Sequence, residues 1–254
     1  MTVLTIIGKS IKMRITLCEK IIECSAYFLL PFLSDKFLVF PTPSFYNKYI
    51  RISNNLPRTQ REMKMGQLLD EAIVFATNAH TGQVRKMANT PYILHPLEVA
   101  SIIATMTGDE QTMAAGVLHD TVEDCGVDLQ EIKRRFGGRV AALVQSETED
   151  KLSERPPADT WMERKQDSLL MLRNTKDEHV KILWLADKLS NMRSFYREYC
   201  KKGNAIFQSL NQKNPAMHAW YYRSIAEYLE SLRGHCAYQE YTELVEKVFG
   251  SNQQ

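Results

Sequence analysis

From Met65 onward, apolar residues recur three and four positions apart, and no segment alternates apolar with polar as a half-buried strand would. This periodicity argues against sheet architectures and constrains the chain to packed helices. The first such segment, "MGQLLDEAIVFATNAH", sets Leu68, Leu69, Ala72, Ile73, Phe75 and Ala76 at helical spacing, with acidic residues near its start, where the helix dipole favours them. The spacing predicts helices over 66–80, 96–106, 109–120, 129–136, 139–147, 160–173, 178–200, 216–232 and 238–249. Gly82, Gly108, Gly126, Gly137 with Gly138, Pro156 with Pro157, and Gly203 fall where those patterns stop. The expected fold class is all-α, a helical bundle.

The preceding 64 residues show no sustained period and hold 10 Lys and Arg against 4 Asp and Glu, whereas the remainder holds 22 against 26. A segment of net charge +6 thus precedes a body of −4. The acidic body offers no footprint for sequence-independent nucleic-acid binding, so nucleic acid is not an expected partner. Met63 and Met65 lie at the change of character, and the expectation is that residues 1–64 are an upstream extension outside the fold, with the biological start at one of these methionines. The rival is a targeting or regulatory arm. The apolar run from Ile21 to Leu33 is broken by Glu23 and Pro31 and makes a poor signal peptide, and no stretch of 18 apolar residues occurs, so no membrane association is expected. Five widely spaced cysteines without a C-x-x-C pair fit a reducing cytoplasm.

Three segments concentrate metal-binding side chains within apolar sequence: "YILHPLEVA" with His95, "LHDTVED" with His119, Asp120, Glu123 and Asp124, and "LADKLSNMR" with Asp187 and Asn191. A polar group in a buried stretch must be satisfied, and a shared cation satisfies carboxylates and imidazoles together. Pro96 favours a helix starting beside His95. At a spacing of four, His119 lies under Glu123, Asp120 under Asp124 and Asp187 under Asn191. Two imidazoles and two carboxylates without thiolate suit Mn²⁺, Fe²⁺ or Zn²⁺. Glu123 and Asp124 are then outer carboxylates, able to move protons on and off water and a leaving oxygen. Singly, each residue has a plainer reading: His95 as a helix cap, Asp187 as the partner of a Lys or Arg. Their co-occurrence in one helical context favours the shared site.

These segments resemble the HD-domain metal-dependent phosphohydrolases, and more closely the hydrolase domain of the Rel/SpoT alarmone enzymes. The resemblance rests on "AHTGQVRK" at 79–86, "TPYILHPLEVA" at 90–100, "AAGVLHDTVEDCGV" at 114–127, "FGGRVAALV" at 136–144 and "LADKLSNMR" at 185–193, and runs from about Met65 to Phe249. It implies an HD-domain bundle with a metal site between helices, hydrolysing the 3′-diphosphate of (p)ppGpp to GDP or GTP and pyrophosphate with Mn²⁺. Carried over by motif position, His95, His119, Asp120 and Asp187 are the metal ligands. Glu123 and Asp124 handle the attacking water, Asn191 lies beside the ribose or a phosphate, and Arg85 and Lys86 approach the guanine base and phosphates. His80 is not a ligand in that pattern and reads as a buried helix-end histidine.

"WYYRSIAEYLESLRG" is similar to the carboxy-terminal helix of the single-domain small alarmone hydrolases, the metazoan SpoT homologues among them, which implies Tyr221 or Tyr222 beside the nucleoside. "WMERKQDSLLML" is similar to the linker helix of the family, with Arg164 and Lys165 either reaching the distal phosphates or lying on a solvated face. The resemblance implies a hydrolase without a synthetase domain, hence a constitutive degrader that lowers alarmone level. Alternatives are an HD phosphohydrolase for another nucleotide, or a catalytically silent nucleotide-binding module.

Overall fold

The computed structural model describes residues 66 to 250, apart from 86 to 88, 150 and 153. The described residues fall within one compact unit, Glu62–Gln254; the expected extension over 1–64 lies outside the described residues. Nine α-helices are described: α1 Gln67–Ala79, α2 Leu94–Ile103, α3 Glu110–Cys125, α4 Leu129–Phe136, α5 Gly138–Glu147, α6 Trp161–Asn174, α7 Glu178–Lys202, α8 Pro215–Tyr228 and α9 Cys236–Phe249. Short 3₁₀ turns follow α7 and α8, and the described residues contain no strand, only an isolated bridge between Val84 and Pro91. The fold is all-α, as the periodicity predicts.

Local chemistry explains the boundaries. Carboxylates of Asp109, Asp128 and Asp177 accept backbone N–H groups from the first turns of α3, α4 and α7, and Asn214 does the same for α8, which carries Pro215 at its first position. Gly126 ends α3 in the left-handed region, at φ 67°. Several boundaries differ from expectation. Helix α2 begins two residues before Pro96, so His95 lies inside the first turn rather than at its entrance. Proline is tolerated there because first-turn N–H groups have no partner within the helix. Helix α3 runs through Cys125, five residues past Asp120, which keeps Glu123 and Asp124 on the same helix as His119. The predicted helix over 216–232 ends at Tyr228 and finishes in a separate 3₁₀ turn over Glu230–Leu232.

Helix α3 is the hub, with α1, α2 and α5 packed around it, while α7 joins α2, α3 and α5 to α9. The α2–α3 approach is close because residue 116 is glycine. A Cβ at Gly116 would lie 2.5 Å from Ile103 Cδ1 and 3.3 Å from Val99 Cγ1. This approach sets the His95 and His119 rings 5.2 Å apart, centroid to centroid. Helix α7 supplies a strip of the core through Leu183, Leu185, Leu189 and Met192. Each such side chain stabilises the fold by about 1.5–3 kcal/mol relative to exposure.

Gly116→Val should force α2 and α3 apart or Ile103 off its rotamer, costing about 1–3 kcal/mol. Urea unfolding measures this; an unchanged midpoint would show that the α2–α3 contact adapts freely.

Candidate metal centre

The first turn of α2 supplies His95, α3 supplies His119 and Asp120, and α7 supplies Asp187. His95 Nε2 lies 3.0 Å from Asp187 Oδ1 and 3.5 Å from Asp120 Oδ2. His119 Nε2 lies 3.1 Å from Asp120 Oδ2 and 3.5 Å from Asp187 Oδ1. Adjacent ligand atoms held about 2.1 Å from one cation at right angles are about 3 Å apart, so this spacing fits a shared ion.

The remaining ring nitrogens are committed elsewhere. His119 Nδ1 lies 2.8 Å from the Gly116 carbonyl oxygen, which can only accept, so the proton sits on Nδ1 and Nε2 presents its lone pair to the cluster. His119 Nε2 is buried and has no hydrogen-bond partner, with Asp120 Oδ2 and Asp187 Oδ1 beside it. An orphaned ring nitrogen facing two carboxylates fits a divalent cation. Burial depresses the His95 pKa. For His119 burial acts the same way, but Asp120 and Asp187 outweigh it and raise that ring well above the usual histidine value, so they favour positive charge at Nε2, a proton or a cation in its place. Burial alone would raise the Asp187 carboxyl, yet Lys188 and the two imidazoles hold it well below the carboxylate range. The pocket attracts positive charge.

Neighbours also bond these carboxylates, Lys188 on the outer oxygen of Asp187 and Asn191 and Tyr92 on the oxygens that face the histidines. Lys188 Nζ donates to Asp187 Oδ2 at 2.5 Å, and Asn191 Nδ2 donates to Asp187 Oδ1 at 2.7 Å. Asp187 therefore both faces the cluster and pairs with a lysine. Arg85 Nη2 donates to Asn191 Oδ1 at 2.8 Å, joining the loop after α1 to α7. The Tyr92 hydroxyl lies 2.8 Å from Asp120 Oδ2 and 3.0 Å from Asp124 Oδ2.

One turn along α3, Glu123 accepts the Glu149 N–H at 3.1 Å, and Asp124 accepts from Lys151 Nζ at 2.6 Å. Burial raises the Glu123 pKa, which suits a group that must take up and release a proton.

The cluster opens into a cleft of about 570 Å³, part of it open to solvent and lined in addition by Arg85, Glu123, Asp124, Lys165, Asn191 and Tyr221. Tyr221 is buried, with Lys165 Nζ 5.1 Å from its ring centre. Arg164 and Lys165 both donate to Glu149, so this part of α6 faces the cleft side rather than open solvent. Lys86 lies outside the described residues. His80 is buried against Tyr92 and hydrogen-bonded to Gln83, away from the cluster.

Sequence reasoning missed Tyr92, Glu147, Glu149 and Lys188. Glu147 lines the cleft, and its Oε1 has no hydrogen-bond partner. Burial, opposed by Lys188, pushes its carboxyl up to about 8. For Lys188 the only sequence signal was its place beside Asp187. Glu147 and Glu149 sit in a charged run that reads as a solvated turn.

The HD domain family matches residues 72–216. A guanosine-3′,5′-bis(diphosphate) 3′-pyrophosphohydrolase of Vibrio cholerae is 37% identical over 129 residues, 50% of this chain and 18% of that protein. A GTP pyrophosphokinase of Streptomyces coelicolor is 35% identical over 183 residues, 71% of this chain and 21% of that protein. The chain spans about a fifth of the length of these curated relatives. A solved metazoan ortholog of SpoT, described as hydrolysing ppGpp and playing a role in starvation responses, shares the fold: TM-score 0.57, 23% identity, covering 73% of this chain and 97% of that one.

A divalent cation at a hundred times its Kd should add about 2.7 kcal/mol, a rise of about 5–10 °C in Tm for a chain of this size. Chelation with EDTA should reverse it, and Asp120→Asn should abolish it while keeping the helical circular dichroism. Differential scanning calorimetry reads this, and an equal rise in Asp120→Asn would remove Asp120 from the site.

Proposed function

The chain belongs to the HD-domain family, and from that premise we propose that it hydrolyses the 3′-diphosphate of (p)ppGpp to GDP or GTP and pyrophosphate, as a Rel/SpoT-type enzyme using Mn²⁺ held by His95, His119, Asp120 and Asp187. The observation that carries this reading is the orphaned His119 Nε2, buried between two carboxylates at the floor of a cleft with Arg85 and Lys165 in its wall. The activities by which the Vibrio cholerae relative and the metazoan ortholog are named support the choice of substrate.

A divalent cation bound by these residues supplies charge neutralisation at the phosphoryl oxygens and a lower pKa for water. Glu123, with its raised pKa, takes the proton from the attacking water. Asp124, held between Lys151 and Tyr92, orients that water, and the proton Glu123 has taken passes on to the leaving oxygen. Arg85 and Lys86 meet the base and phosphates, and Asn191 meets the ribose or a phosphate. Lys165 balances charge on the distal phosphates, and Tyr221 bears on the nucleoside. Consumption of the alarmone would lower its level in the stringent response.

Residues 65–254 are the catalytic unit on this reading, with 1–64 outside it; the family match beginning at residue 72 supports that division. Among the described residues no helix is long and apolar enough to cross a membrane, and the described cysteines, Cys125, Cys200 and Cys236, are free. Both fit the cytoplasm as the working compartment.

Purified full chain with Mn²⁺ should release pyrophosphate from ppGpp in preference to other nucleotides. Glu123→Gln should lower kcat by about 10²–10⁴ with the Mn²⁺ Kd unchanged, and Asp120→Asn should abolish metal binding and turnover together. Binding of ppGpp without turnover would favour the silent module, and preferential turnover of another nucleotide would replace the substrate.

A further inference from the structure

The two histidines of the centre are held differently. His119 leans on a backbone carbonyl, whereas His95 leans on a chain of side chains. His95 Nδ1 lies 2.8 Å from Ser190 Oγ, and Ser190 Oγ donates at 2.8 Å to Glu98 Oε2. Arg193 Nη1 donates to the other oxygen, Glu98 Oε1, at 3.0 Å. Arg193 is itself gripped through Nε and Nη2 by Glu240 of α9, each bond 2.6 Å. Ser190 has no exposed surface, so water does not stand in for any of its partners.

The direction of this chain is fixed by what each group can do. As a carboxylate, Glu98 only accepts, so the one hydroxyl proton of Ser190 is committed to it. Ser190 Oγ must then accept, and what it accepts is the proton on His95 Nδ1. That leaves His95 Nε2 with a bare lone pair. The opposing tendency is also present, because Nε2 lies 3.0 Å from Asp187 Oδ1 and a proton on Nε2 would bond to that carboxylate. Such a tautomer would turn an N–H toward the site and block coordination.

We infer that Ser190 and Glu98 are positioning residues that hold His95 in the tautomer with Nε2 free, and that Arg193 and Glu240 anchor this relay to α9. The inference rests on reading the cluster as a metal centre and adds to it a determinant of metal affinity. Ser190 lies three residues after Asp187 on α7, and Glu98 three after His95 on α2, so the two helices that bring these ligands also bring their support. It accounts for two side chains inside "LADKLSNMR" and "HPLEVA" to which the proposed chemistry gives no other task.

The test uses the full chain and Mn²⁺ titrated calorimetrically, with ¹⁵N long-range correlation spectra of the metal-free protein at pH 8. In the wild type, His95 should show a protonated Nδ1. Ser190→Ala should mix the tautomers and weaken Mn²⁺ binding about 10–100-fold. Glu98→Gln, on a half-exposed residue, keeps the shape but lets the amide donate, so Ser190 can turn its proton onto Nδ1. It should therefore move the proton to Nε2 and weaken Mn²⁺ comparably. A role in folding alone would lower stability without moving the tautomer. Wild-type Mn²⁺ affinity and an unchanged His95 tautomer in both variants would overturn the relay, whereas a wild type that binds no Mn²⁺ would overturn the metal centre itself.

Discussion

Two carboxylates, Asp120 and Asp187, face each other's imidazole partners in the interior of the helical bundle, and their charge sets the terms for everything nearby. Burying them without compensation would cost several kcal/mol per ion. Neighbouring donors and the two imidazoles supply that compensation. Lys188 takes the outer oxygen of Asp187, Tyr92 reaches Asp120, and Asn191 ties Asp187 to Arg85. Glycine at position 116 lets α2 come near enough to α3 for the imidazoles to share one centre. The bundle thus depends on a charge problem solved at its middle by residues from α2, α3 and α7.

This arrangement separates two kinds of residue in the cleft. Those on α3 and α7 sit in regular helix with their backbone satisfied, so their geometry follows from helix packing. Glu149, Lys151 and Arg85 lie in the connections after α5 and α1, where no helix holds the backbone. Groups proposed to hold the cation lie on rigid elements, and several groups that would meet a changing ligand lie on connecting segments. That division is expected where precision and adaptability are needed at one site.

Much of this was legible in the sequence, for identifiable reasons. Helical period reports on local backbone, so helix type and most boundaries are legible in the sequence, and Asp109, Asp128 and Asp177, which cap α3, α4 and α7, stand at or next to the expected starts. The fourfold spacing also paired Asp187 with Asn191, and the two are hydrogen-bonded. The start of α2 differs from expectation because Pro96 suits the first helical position, although a proline is equally acceptable later in the first turn. The end of α3 was set short because "TVED" after Asp120 carries little apolar signal, while its true stop, Gly126, lay six residues on. Tyr92, Glu147, Glu149 and Lys188 were not legible as cleft residues. Their roles come from contacts between segments far apart in the chain, and a charged run such as "SETEDK" reads the same whether it faces water or a cleft. The comparison of "LADKLSNMR" with known sequences marked Asp187 and Asn191 but gave no reason for Ser190, whose bonds reach across to another helix.

The pairing of both Arg164 and Lys165 with Glu149 has a bearing on traffic through the cleft. These cations are not bare when the cleft is vacant, because an internal anion already balances them. On the proposed reading an arriving phosphate competes with Glu149 for these cations, so an anion of low charge gains little by entering. A ligand bearing several charges gains more. If the proposed cleavage divides that charge between two smaller products, Glu149 competes better against each of them, and the internal counterion then favours polyanions over their fragments.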